Sequence, residues 1–312
     1  MQNLNEQESP SNIPIMVSLL GEYFFRQTWF TLCAETWKLA QINQPVYILS
    51  DGSLTLDSKA KLADMGLIVL PDKDVNEVVN STLGKYPGIS KLRQQSNLFK
   101  KLIDTSLFFP SNRILYCDSD VIFRRRFILP TEVPSFLFCI DDIPGYSGSW
   151  QIPIIYPIVT GLNSGFIYFD PGIVDLDYIN YISTKYLLKS NHIWWLEQTC
   201  WALLAAKIEN KGIFEGSDAC VISGFKKRTP EEIKFNKTKY FTLNKKVSDI
   251  ATIESMIGDA SVVHFAGPGK PWIEPIYKKS FYDDVRELRW KKVENANMKD
   301  KLLLGIRMFI KG

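Results

Sequence analysis

No apolar run in this sequence approaches the ~20 residues needed to span a bilayer, and no basic, apolar leader opens it. The first dozen residues are polar and read as a disordered tail. Cysteine is sparse and unpaired. Cys33, Cys117, Cys139, Cys200 and Cys220 are scattered, odd in number and form no Cys-x-x-Cys, which argues against a disulfide framework or a zinc site. Buried free thiols in a reducing, cytoplasmic compartment are the expected state. The sequons at Asn80 and Asn236 carry no weight in such a chain. Charge is nearly balanced, and a formal +3 gives no reason to expect nucleic acid as a partner. Histidine is scarcest of all, with 2 residues.

What is present is an ordinary globular composition, 46% hydrophobic, in a length that suits one large α/β domain. Strands are expected at Pro14–Leu20, Pro45–Ser50, Leu67–Leu70 and Ile114–Cys117. Helices are expected at Phe24–Gln41, Leu56–Met65 and Ser90–Leu107. This β-α-β alternation predicts a mostly parallel central sheet flanked by helices, whose ligands bind beyond the carboxyl ends of the strands. Further strands are expected at Phe136–Ile140, Leu162–Asp170 and Ser261–His264, and helices at Asp177–Lys189 and Trp194–Lys207. The stretch Ser147–Gly161, rich in Pro, Gly and aromatics, reads as a loop over a site. No internal repeat or linker divides the chain.

Two separated signals carry chemistry. The first is Arg113-Ile-Leu-Tyr-Cys-Asp-Ser-Asp120, an apolar strand ending in two aspartates spaced i, i+2. Adjacent carboxylates after a buried strand need a counter-charge, either a cation or an arginine such as Arg124, Arg125 or Arg126. The second is His264-Phe-Ala-Gly-Pro-Gly-Lys-Pro-Trp272. Two carboxylates and an imidazole can hold a divalent cation with open positions. Two glycines beside a lysine form an anion cradle, because backbone N–H groups approach closely and the ammonium adds charge. Together they suggest a metal bound to a diphosphate leaving group. Trp194-Trp195 reads as core packing in preference to a sugar platform. The tail Met298–Ile310 is a basic amphipathic helix that suits docking on the domain or, second to that, contact with an anionic membrane.

The Asp-x-Asp after a strand, Leu162-Asn-Ser-Gly-Phe-Ile-Tyr-Phe169, Glu197-Gln198 in a helix and the His264–Trp272 run occur in the order found in family 8 glycosyltransferases, and from Ile13 to Trp272 the chain resembles that family. The resemblance implies a GT-A fold over residues 13–280, between the tail 1–12 and a helical extension 281–312. It implies retaining transfer of a sugar from a nucleotide-sugar, UDP-linked, to a glycan, lipid or protein acceptor. It also implies Mn²⁺, with Mg²⁺ as the alternative, on Asp118, Asp120 and His264. Lys270 and Gly267 would meet the diphosphate, Tyr23 would stack on the base, and Lys101, with Lys100 as the alternative, would help hold the donor. Asp141 or Asp142 would bind sugar hydroxyls, Ser119, Asn163, Ser164 and Gly165 would line the site, and Gln198 would face the anomeric carbon beside Glu197. Two departures touch specificity: Leu19-Leu-Gly-Glu-Tyr23 replaces the usual Asn/Asp-rich turn, and Glu197 replaces the usual aspartate. Competing readings are a non-catalytic sugar-nucleotide-binding scaffold and a nucleotidyltransferase. The latter lacks its glycine-rich signature after the first strand.

Overall fold

The computed structural model describes residues 14–39, 45–130, 132–141, 145–190, 193–223, 250–279 and 281–311. The expected tail, Asp142 and the stretch 225–249, expected with 147–161 to build an acceptor pocket, lie outside them. The strands are β1 (Ile15–Leu20), β2 (Val46–Ser50), β3 (Ile68–Val69), β4 (Ile114–Cys117), β5 (Val121–Phe123), β6 (Arg126–Ile128), β7 (Phe136–Ile140), β8 (Leu162–Phe169), β9 (Lys211–Phe214), β10 (Ala219–Val221), β11 (Val262–His264), β12 (Val285–Glu287) and β13 (Trp290–Lys292).

Among the described residues the central sheet has 8 strands in the order β13-β9-β7-β8-β4-β1-β2-β3, flanked by helices, and the fold class is α/β. The edge β3-β2-β1-β4 is parallel throughout. Its strands β1, Ile-Met-Val-Ser-Leu-Leu, and β4, Ile-Leu-Tyr-Cys, are near-continuous apolar runs because helices cover both faces. Beyond β4 the sheet becomes mixed. β8 runs antiparallel to both β4 and β7, while β7 and β9 are parallel. Alternation alone does not reveal this reversal, and it shapes the site. Because β8 opposes β4, with Cys117 beside Phe166, the start of β8 lies at the carboxyl end of β4.

A smaller sheet, β10-β11-β5, brings β11 antiparallel to β5, with His264 opposite Val121. Trp37, in the helix Thr28–Trp37, ties this sheet to the body by donating from Nε1 to the Val121 carbonyl at 3.0 Å.

Several expected helices are interrupted. The helix expected over Phe24–Gln41 is two, Glu22–Phe25 and Thr28–Trp37. The one expected over Ser90–Leu107 breaks at Ser96, where the backbone is extended, into Pro87–Gln95 and Phe99–Phe108. Serine and asparagine at 96–97 compete for backbone hydrogen bonds and favour such a break. The helix expected over Asp177–Lys189 runs as α-helix over Leu176–Ile182 and continues as a π-helical turn, Ser183–Leu187. An unforeseen helix, Asp72–Leu83, buries Val75, Val79 and Leu83 on one stripe. Its valines and asparagines have low helix propensity, so packing rather than composition sustains it. The stretch 147–161 is partly helical, Gln151–Ile155, and packs against the C-terminal helix Met298–Lys311.

Candidate active site

A cleft of about 670 Å³ opens where β1, β2 and β4 end and β8 begins. Asp118 and Asp120 follow β4, and His264 closes β11. One ligand atom from each of these three lies within 4.8 Å of the others. His264 Nε2 is 3.1 Å from Asp120 Oδ1 and 3.8 Å from Asp118 Oδ2. Two backbone bonds fix the frame: Asp118 N donates to the Gly165 carbonyl at 2.7 Å, and Phe265 N donates to the Asp120 carbonyl at 3.0 Å. Gly165 is required by contact, since a Cβ there would fall on the His264 ring. Along β8 the pairing with β7 jumps from Ile167 to Asn163, and this bulge leaves Ser164, Gly165 and Phe166 unopposed on that side.

Each aspartate is answered by a lysine. Lys101 Nζ lies 3.0 Å from the Asp118 carboxylate and Lys270 Nζ lies 2.6 Å from Asp120 Oδ2. Two of the three candidate arginines are engaged elsewhere: Arg125 pairs with Asp259 and Asp284, and Arg124 donates to the carbonyls of Gly258 and Ala260. Burial alone would raise the Asp120 carboxyl, but His264 and Lys270 overcome it and hold the group well below the ordinary range. Burial would likewise lower the Lys101 ammonium, yet Asp118 and Glu197 leave it above its usual value. The Tyr116 hydroxyl donates to Asp118 Oδ1 at 3.0 Å and accepts from Leu19 N at 3.2 Å.

The wall opposite is the buried start of the helix Leu196–Lys207. Gln198 is pinned at both ends of its amide: Nε2 donates to the Gly145 carbonyl at 2.6 Å and Oε1 accepts from Ser164 N at 3.3 Å. Glu197 Oε2 accepts from the Ser164 hydroxyl at 3.0 Å and lies 3.9 Å from Lys101 Nζ. Its Oε1 is buried without a hydrogen-bond partner. Burial lifts the Glu197 carboxyl to about 7, with Lys101 pulling the other way.

The structure gathers Asp118, Ser119, Asp120, Asp141, Asn163, Ser164, Gly165, Glu197, Gln198, His264, Gly267, Lys270 and Lys101 around this one cleft. Lys100 instead donates to the Asp51 carbonyl at 2.5 Å. Tyr23 is 72% exposed and does not line the cleft, whereas its neighbour Phe24 does. Asp142 lies outside the described residues. The tryptophan pair does not pack as core: Trp194 is 60% exposed at the cleft rim. No residue of 147–161 lines the cleft among those described. Among the lining residues that sequence reasoning did not single out are Asp51 and Tyr116. Asp51 follows β2 directly, so a carboxylate just past a parallel strand was its signal. Tyr116, inside a fully buried strand, gave none.

No protein-family model matches the chain. No curated protein matches it either. Solved structures overlap it loosely. The bifunctional glycosyltransferase WbbM matches with a TM-score of 0.48 and 12% identity over 86% of this chain and 48% of its own, so this chain spans about half the length of WbbM. The galactosyltransferase LgtC, in complex with donor and acceptor sugar analogs, matches at 0.46 and 11% identity over 86% of this chain and 97% of its own. Mouse xyloside xylosyltransferase 1 matches at 0.46 and 11% identity over 80% and 96% of the two chains. Overlaps this loose carry neither activity nor residue roles to this chain.

Proposed function

We propose that this chain is a GT-A type, retaining glycosyltransferase of family 8 character that moves a sugar from a UDP-linked donor to a glycan, lipid or protein hydroxyl. The observation that carries the reading is the meeting of Asp118, Asp120, His264 and Lys270 at one end of a cleft whose other wall is Glu197 and Gln198. The donor set fits Mn²⁺ or Mg²⁺: two carboxylates and an imidazole converge, and two lysines now neutralise the aspartates. When bound, such an ion stabilises the negative charge of a departing diphosphate.

The chain's own residues supply the rest. Lys270 is the more exposed of the two lysines, and on this reading it turns from Asp120 to the diphosphate. Gly267, at φ 53° with open space where a Cβ would stand, brings its backbone N–H to the same group. In the reaction the bond from C1 to the diphosphate oxygen breaks and the nucleotide keeps the electron pair. The acceptor oxygen joins C1 and gives its proton to the departing phosphate. The pinned Gln198 carboxamide is a weak nucleophile, so its role is to present Oε1 to positive charge developing at C1 while both partners stay on one face. Lys101 and Glu197 hold the wall beside it. Partners on this reading are the donor, a carbohydrate-bearing acceptor and, through the C-terminal helix, an anionic membrane surface in the cytoplasm.

Calorimetric titration of UDP tests the reading, with Mn²⁺ and with EDTA, alongside His264→Ala. The expected result is binding that needs the metal and is lost in the variant. Binding indifferent to EDTA would overturn the metal role. In a donor-turnover assay Lys270→Ala is expected to lower the rate roughly 10²–10³-fold, the usual cost of one charge-stabilising group. An unchanged rate would remove Lys270 from the chemistry.

A further inference from the structure

Asp51 lines the cleft but has no part in the reaction scheme. The strand order β8-β4-β1-β2 sets where it lies. Ser164 and Gln198 stand on the β8 side of β4, and the aspartate pair follows β4 itself. A nucleotide with its diphosphate at the end of β4 and its sugar toward β8 lays its nucleoside over the ends of β1 and β2. Asp51 directly follows β2, two strand spacings or about 10 Å from β4, a distance that a ribose and a base together span. The turn after β1 supplies no carboxylate of its own to this end. Its Glu22 does not line the cleft and is committed to Arg26 Nε at 2.7 Å, the Ser58 hydroxyl at 3.0 Å and Thr55 N at 3.1 Å. Gly21 instead leaves room: a Cβ there would stand 2.2 Å from Asp51 Oδ2, so the Asp51 carboxylate fills the space a side chain from the turn would take. Its backbone is held on both sides, with N donating to the Leu20 carbonyl at 3.0 Å and the carbonyl accepting from Lys100 Nζ at 2.5 Å. Asp51 Oδ1 accepts from Ser53 N at 2.8 Å and from the Ser53 hydroxyl at 2.5 Å. Oδ2 has only the Asn97 amide, at 3.4 Å, among the described residues. Phe24, just past Gly21, lines the cleft with it.

We propose that Asp51 is the residue that reads the nucleotide base, its Oδ2 accepting a ring N–H while the base lies against Phe24. Uracil carries that hydrogen on N3 and guanine carries it on N1. Held the same way, cytosine and adenine set a bare ring nitrogen against the carboxylate, and both acceptors are left unpaired. Because Ser53 already fills Oδ1, the contact is a single one through Oδ2. The carboxylate that selects the base thus comes from the end of β2, at the place where the turn after β1 has only a glycine. The proposal rests on the nucleotide-sugar reading, within which uracil is the expected base.

The test is calorimetric titration of UDP, GDP, CDP and ADP, each with Mn²⁺, into the wild type, Asp51→Asn and Asp51→Ala. The wild type should bind UDP roughly 10–100-fold tighter than CDP or ADP, the range for one hydrogen bond to a charged group. In Asp51→Asn the amide oxygen must stay on the Ser53 N–H, which can only donate, so the NH₂ takes the Oδ2 place and faces the base as a donor. It should accept cytosine N3 and oppose uracil N3–H, so that CDP binds tighter than UDP. Asp51→Ala offers neither donor nor acceptor and should bring UDP and CDP within about tenfold of each other. A wild type that binds CDP as tightly as UDP and GDP overturns the role of Asp51, leaves the nucleotide-sugar reading standing, and does not depend on any variant folding. A wild-type preference for UDP that persists in both variants overturns that role as well. Tightest binding of GDP, with the preference over CDP lost in Asp51→Asn, keeps Asp51 as the reader and makes guanine the base. Binding of none of the four nucleotides sinks the nucleotide-sugar reading and the role of Asp51 with it.

Discussion

At the scale of single residues, the site balances charges that burial alone would not tolerate. Asp120 stays ionised because His264 and Lys270 stand within hydrogen-bond reach, whereas at Glu197 the Lys101 ammonium, 3.9 Å away, and the Ser164 hydroxyl do not offset burial. Burial accordingly lifts Glu197 from 4.5 to about 7. A carboxyl that holds its proton more tightly when folded stabilises the fold while protonated. That contribution is complete below about pH 4.5 and is lost as the pH rises through about 7, a change of about 3 kcal/mol. In EDTA, the urea midpoint of the wild type should therefore fall between about pH 5 and about pH 8 by more than that of Glu197→Gln, which cannot ionise. Equal falls in the two proteins would show that Glu197 does not titrate in this range.

At the scale of elements, the bulged start of β8 is the part on which the cluster depends. It places Asn163, Ser164 and Gly165 at the end of β4 and leaves room for the His264 ring over Gly165. Gly165 has no positive φ, so alanine suits its backbone but not its neighbour. Gly165→Ala should keep the far-ultraviolet circular dichroism of the wild type and lose at least about tenfold in Mn²⁺ affinity by calorimetry, through displacement of the imidazole. Retained affinity would mean that the ring has another seat. The broken helix at Ser96 has a related consequence. The new helix starting at Phe99 carries Lys101 inward to Asp118, whereas Lys100 reaches the end of β2. From sequence the two lysines were nearly equivalent, and the helix start separates them.

At the scale of the whole molecule, the C-terminal helix shows two faces. Leu304 and Met308 are buried against the body, and Gly305 lets the helix approach closely, since its Cβ position is 3.1 Å from the Trp150 carbonyl. Leu302, Leu303, Ile306 and Phe309 remain exposed, at 47% or more, on a helix that also carries Lys299, Lys301 and Arg307. Docking and an outward apolar stripe thus coexist. No helix among the described residues is long and apolar enough to cross a membrane. Leu304→Ala should cost about 2–3 kcal/mol in urea denaturation, as for a buried leucine whose site partly collapses. Replacing Leu302, Ile306 and Phe309 together by serine should leave that midpoint nearly unchanged and reduce sedimentation with anionic vesicles. Unaltered sedimentation would set the membrane contact aside.

The sequence by itself determined the class of the fold and the chemistry of the cluster. Parallel strands buried on both faces must be apolar runs, and carboxylates at their ends stand out against them, as Asp118 and Asp120 do. His264 and Lys270 were legible because a short motif keeps its glycines and cation together along the chain. Only the tertiary structure decided which groups answer which. Lys101 rather than an arginine meets Asp118, Phe24 rather than Tyr23 lines the cleft, and Asp141 braces Asn163. Those outcomes depend on the reversal of β8, the break at Ser96 and the bulge beside Cys139. Each is settled by packing between segments far apart in sequence, and local pattern, which records only near neighbours along the chain, does not contain it.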